Sequence, residues 1–78
     1  MKKINSIEEI KNNENSIDCY IMLAGGLARS SKTIRYDKSA ERFEIFHEID
    51  GTEETLTENQ FKKSLIYQAI EKGALIKY

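Results

Sequence analysis

Proline and tryptophan are absent from this sequence, and cysteine and histidine occur once each. A lone Cys19 excludes an intramolecular disulfide, so packing alone must hold the chain together, which fits a reducing, cytoplasmic setting. One thiol and one imidazole also fall short of the four ligands of a structural zinc site. An excess of one charge is lacking too. The formal net charge is -1, which exerts no global pull toward nucleic acid or membrane. The longest apolar run, Tyr20 to Ala24, is far short of a membrane span. Polar and acidic residues follow Met1, Lys2 and Lys3, leaving no apolar segment for a secretion signal. There are no repeats, linkers or low-complexity tracts. No metal-ligand cluster, catalytic constellation or complete nucleotide-binding motif can be read, so no enzymatic activity, cofactor or metal is expected.

What is present suffices for a single domain spanning residues 1–78. A chain of this length buries about 60–65% of its unfolded surface and has a stability of roughly 4–12 kcal/mol. A deep cleft with full supporting layers is hard to build at this size. Hydrophobic residues make up 40% of the chain and charged residues 32%, enough for a core and a well-solvated surface.

The fold class expected is α+β: a small, mostly antiparallel β-meander of 4–5 strands, with a C-terminal helix and a short N-terminal helix on one face. Residues 1–15 form the short helix or a frayed tail. Ser6, Ile7, Glu8 and Glu9 have the form of a capping box, and the run Asn12 to Asn15 ends that helix. The meander covers residues 17–56. Ile17, Cys19, Ile21 and Leu23 alternate with Asp18, Tyr20 and Met22, the period of a strand with one apolar face. Gly25 and Gly26 reverse the chain. The return strand is Thr33 to Tyr36, so the Gly25–Lys32 segment reads as an exposed, basic turn closed by Ser30 and Ser31. A third strand runs from Arg42 to Ile49, with Phe43, Ile45, His47 and Ile49 on one face. After the hairpin signal Asp50-Gly51, Thr52 to Leu56 is a short acidic edge strand. Thr57 and Gln60 cap a helix over residues 57–73, with Phe61, Leu65, Ile66, Ala69 and Ile70 as its apolar stripe; Ser64 is a second candidate N-cap, and whether the helix runs on or splits there is left open by the sequence. Gly73 stops the helix, and residues 74–78 return to the sheet as its final strand.

Three local patterns suggest chemistry. Gly26 to Thr33 resembles a phosphate-binding loop, but Ser31 stands where its second glycine belongs, and a strand follows instead of a helix. Ser30 and Lys32 share a strand face, yet nothing in an exposed polar turn would activate the pair. A Cys19–His47 dyad requires the first and third strands to pair, and a buried thiol is inert.

Charge is segregated along the chain. Arg29, Lys32, Arg35, Lys38 and Arg42 oppose only Asp37 and Glu41, whereas Glu44, Glu48, Asp50, Glu53, Glu54 and Glu58 follow without a lysine or arginine. Arg29, Ser30, Ser31, Lys32, Arg35 and Tyr36 are the candidate partner-binding residues. In a nucleic-acid-binding module the cations would meet phosphates and Tyr36 would stack on a base. The acidic residues Glu44, Glu48, Asp50, Glu53 and Glu54 are the alternative interface, facing a basic partner. Without any partner, neighbouring strands of opposite charge pair across the sheet.

One resemblance bears on these choices. Gly26-Leu27-Ala28-Arg29-Ser30-Ser31-Lys32-Thr33-Ile34 is followed by Phe43 with Ile45, Glu48-Ile49-Asp50, Leu56-Thr57 and Ala69-Ile70-Glu71-Lys72-Gly73-Ala74. This order is similar to that of small proteins, without an assigned activity, carried by phages and mobile elements of low-GC Gram-positive bacteria. It covers about three-quarters of the chain, with Ala28 as a one-residue insertion. Richness in Lys, Asn, Ile and Glu suits the same AT-rich genomes. The resemblance implies an accessory role. The expected function is therefore a non-enzymatic protein that binds a host or phage protein, as an inhibitor of a host defence system. The alternatives are the nucleic-acid module and a homo-oligomer formed through a strand edge or the face bearing Tyr20, Met22 and Phe46.

Overall fold

A computed structural model describes residues 2–22 and 29–78, Arg29 through its backbone alone. In chain order the elements are β1 (Lys2–Lys3), α1 (Ile7–Lys11), β2 (Ile17–Met22), β3 (Arg29–Asp37), β4 (Arg42–His47), β5 (Thr52–Leu56), α2 (Glu58–Phe61), α3 (Leu65–Lys72) and β6 (Leu75–Lys77). The strands form one antiparallel sheet in the order β1-β6-β2-β3-β4-β5, so the protein is α+β as expected. The expected reversal at Gly25 and Gly26, and the core role of Leu23, lie outside the described residues.

Register follows the apolar alternation. Ile17 faces Ile34 across β2 and β3, and Ile34 faces Ile45 across β3 and β4. Since alternate residues share a face, these side chains line one side of the sheet, where Phe43 and Leu75 join them. All three helices cover that side, contributing Ile7, Ile10, Phe61, Ile66, Ala69 and Ile70 to a single core. The Phe43 and Phe61 rings stack with centroids 4.2 Å apart, which ties α2 to the sheet. Among the described residues the opposite side carries no helix.

The local signals at the C-terminal helices hold. Thr57 and Gln60 complete a reciprocal capping box, and Ser64 accepts from the Tyr67 N–H to start α3 anew. Gly73 ends α3 at φ 71°, in the left-handed region that favours glycine. β6 pairs with β2, and β5 is the acidic edge.

Five expectations are corrected. β3 begins by Arg29, because its pairing with β2 continues to Met22↔Arg29; Ser30, Ser31 and Lys32 therefore belong to a strand and not to a turn. β4 ends at His47. The reversal takes up the residues between His47 and Thr52, so Ile49 is 73% exposed and outside the core. Leu65 is 74% exposed, since the restart of the helix at Ser64 destroys the four-residue phase linking it to Phe61. Ser6 makes no capping bond through its side chain; the Glu9 carboxylate accepts from the Asn5 N–H instead. Finally, the N-terminus is not frayed. Lys2 and Lys3 pair with Lys77 and Ile76, and Ile4 is buried at 1% exposure, which raises the strand count to six.

Candidate functional site

Strand alternation divides both charged stretches between the two sides of the sheet. Ser30, Lys32 and Tyr36 fall in phase with Ile34 and point toward the helices, whereas Ser31, Thr33 and Arg35 point away. Tyr36 rests on Phe43, with ring centroids 4.7 Å apart and Lys11 Nζ 5.3 Å above its ring. It is a packing residue without a free face for a base. On the helix-free side Arg35 is bound to Glu44 at 2.7 Å, and Ser31 shares a 2.7 Å hydrogen bond with the Tyr78 hydroxyl. The Thr33 hydroxyl lies 3.0 Å from an Asp18 oxygen and 3.2 Å from a Glu48 oxygen. Asp50 caps its own turn by accepting from the Thr52 amide and hydroxyl, and these bonds hold its carboxyl below the usual range. Glu53 faces away from the helices, but Glu54 faces toward them. The Arg29 side chain is outside the described residues.

Lys32 lies elsewhere than its sequence neighbourhood suggests. The side chain is buried, with the residue 7% exposed, the only charged one so buried among the described residues. The reason is register. Lys32 sits opposite Cys19 on β2 and His47 on β4, in the interior of the sheet. Its Nζ donates to Ser30 Oγ at 2.9 Å and lies 3.0 Å from His47 Nδ1. His47 Nε2 in turn lies 2.7 Å from Glu54 Oε2.

The chemistry of these atoms sets the direction of the chain. A charged lysine only donates, so His47 Nδ1 accepts and Nε2 carries the proton that goes to Glu54. Ser30 accepts from Lys32, which leaves its own hydroxyl hydrogen available. Among the described residues no carboxylate comes within ion-pair distance of Lys32. Burying an ammonium costs several kcal/mol, and neutral partners offset that incompletely. Glu54 is held one imidazole away, through His47.

These four side chains form the polar floor of a groove of about 770 Å³ between the sheet and α3. Its walls include Ile21, Met22, Ile66 and Ala69, with exposed Leu65 at the mouth, and Lys63 and Lys72 add two more cations. Three lysines against Glu54 give the groove a net positive charge. A smaller hollow of about 270 Å³ on the other face is lined by Arg35, Glu44 and Phe46, where the charges already satisfy each other.

The Cys19–His47 dyad is ruled out by position. β3 lies between β2 and β4, which separates Cys19 from His47 by two strand spacings, roughly 10 Å. The Cys19 thiol points at the Lys32 carbonyl oxygen at 3.7 Å, and burial pushes it up to about 12. Among the described residues no three metal-ligating side chains cluster, and no helix is long and apolar enough to cross a membrane.

The sequence did contain a trace of this site. Lys32 and His47 are polar residues in the apolar phase of their strands, one beside Ile34 and one beside Ile45. What it concealed was the partner of each. Ser30 and Lys32 come from the basic stretch, while His47 and Glu54 come from the acidic one, so neither stretch by itself marks the site. Compared with protein-family models, curated proteins and solved structures, the chain finds no match in any of the three.

Proposed function

We propose that this protein is a non-enzymatic binding protein, an accessory factor of a phage or mobile element, which docks on a host or phage protein through the groove between α3 and the sheet. The observation that supports this most is Lys32. A buried cation held by neutral partners, at the floor of an open groove, costs folding energy that a bound partner would offset. The exposed Leu65 beside it supplies apolar contact area at the rim, as docking sites commonly do. The basic residues favour a nucleic-acid module less, because Arg35 is engaged by Glu44 and Tyr36 is covered by Phe43 and Lys11.

Site-specific photocrosslinking tests the reading. A crosslinking residue is placed at Gln68, on the groove wall, or at Thr55, on the helix-free face, and the protein is exposed to nuclease-treated host lysate. One protein species should crosslink from Gln68 and not from Thr55, and the same species, purified, should bind wild type and fail to bind Leu65→Asp. Crosslinks from Thr55 alone, no product, or a product lost on nuclease treatment would each overturn it.

A further inference from the structure

We infer that the floor of the groove is a carboxylate-binding site, built by Lys32 and Ser30 for an acidic residue in an apolar segment of the partner protein. The inference depends on the groove being the docking surface. Lys32 Nζ has three N–H donors, two of them directed to Ser30 Oγ and His47 Nδ1. The third and the Ser30 hydroxyl remain for a ligand. An incoming carboxylate accepts from both, and bonds to a charged donor are stronger than neutral ones.

The remaining groups select for the same chemistry. His47, fixed by Glu54 at 2.7 Å, keeps its lone pair toward Lys32 and so aims the ammonium without neutralising it. Lys63 and Lys72 surround the entrance with positive potential that draws acidic segments and repels basic ones. Leu65 and Ile66 offer apolar contact to the residues flanking the acid. A lone inorganic anion would use the floor but not these walls. A nucleic acid would bring phosphates too, but among its described lining residues the groove has no Phe, Tyr or Trp on which a base could stack, and its one imidazole, His47, is tied at both nitrogens to Lys32 and Glu54.

Nuclear magnetic resonance titration of the intact protein tests this with acetyl-leucyl-glutamyl-leucine amide, its glutaminyl analogue, sodium phosphate and an oligothymidylate. The glutamyl peptide should shift the signals of Ser30, Lys32, His47 and Leu65. It should bind about tenfold or more tightly than the glutaminyl analogue, the difference expected of a charge-assisted bond. The ¹⁵N resonance of His47 Nδ1 should move as Lys32 turns toward the ligand, a change that a merely structural lysine would not produce. Lys32→Met should bind both peptides equally weakly, and the same spectra report whether that variant is folded; if it is not, the two-peptide comparison on wild type decides. Equal binding of both peptides by wild type would overturn the inference. So would tighter binding of phosphate or oligothymidylate at the same residues. If Gln68 crosslinks a partner while the two peptides bind alike, docking stands and the carboxylate site falls. If neither occurs, both fall.

Discussion

Lys32 is the residue at which stability and the proposed binding role pull in opposite directions. Exchange of a buried charge for an apolar side chain of similar length is often neutral or stabilising by about 1–4 kcal/mol. Lys32→Met should therefore leave the urea denaturation midpoint unchanged or raise it, whereas a loss of more than about 2 kcal/mol would make Lys32 a structural residue. Cys19 offers a second test at this scale. Its thiol is raised from the ordinary 9.0 to about 12, chiefly by burial. Iodoacetamide at pH 8 should label the native protein far more slowly than the urea-unfolded chain, followed by mass spectrometry. The sign for stability follows from proton binding. Above pH 9 the unfolded thiol has lost a proton that the folded one keeps, so stability should fall as pH rises from 9 toward 12, and Cys19→Ala should flatten that alkaline slope.

Among the elements, the α2–α3 break is the most sharply specified. Ser64 Oγ accepts from the Tyr67 N–H at 3.3 Å and donates to the Phe61 carbonyl at 2.6 Å, closing one helix and opening the next. Ser64→Ala should cost about 1 kcal/mol in urea denaturation. α1 is joined to α2 by a half-buried ion pair, Lys11 to Glu58 at 2.8 Å. Hydrogen bonds from Lys11 and Lys62 hold the Glu58 carboxyl below its usual range. The stability this contributes is present above the ordinary glutamate value of 4.5 and is lost as pH falls through the lower folded value. Glu58→Gln should thus shallow the acid limb of a denaturation-midpoint-against-pH curve by slightly lowering the neutral plateau, the two curves converging in acid. β1 is the element least visible in the sequence. It is two lysines long, and pairing with β6 turns it from a tail into an edge strand.

For the molecule as a whole, the main core lies under the helix-bearing face, while on the other face Tyr20 and Ile76 are buried as well, Tyr20 against the Tyr78 ring. Phe61 is fully buried and stacked on Phe43. Phe61→Ala should cost about 3–5 kcal/mol, a large part of the roughly 4–12 kcal/mol available to a chain of this size. Circular dichroism should show a much lower melting temperature or an unfolded protein. The placement of the helices also explains the groove. Three short helices cannot cover a six-stranded sheet completely, and the part left open lies over Lys32, His47 and Glu54.

The strands of the meander, the turn at Asp50 and Gly51, the capping box at Thr57 and the stop at Gly73 were legible in the sequence, and Ser64 stood out as a candidate cap without deciding whether the helix breaks there. Each rests on an interaction among residues within about four positions: side-chain alternation, a positive φ, or a side chain bonding a nearby amide. Tertiary structure alone decided three things. It placed β6 between β1 and β2, it buried Ile4, and it brought Lys32 within 3.0 Å of His47, 15 residues away. Such contacts depend on which strands pair and in what register, and that is set by burying the best apolar face of the whole sheet. Side-chain alternation then parts Lys32 from Arg35, its companion in the basic stretch, and joins it to residues of the acidic one.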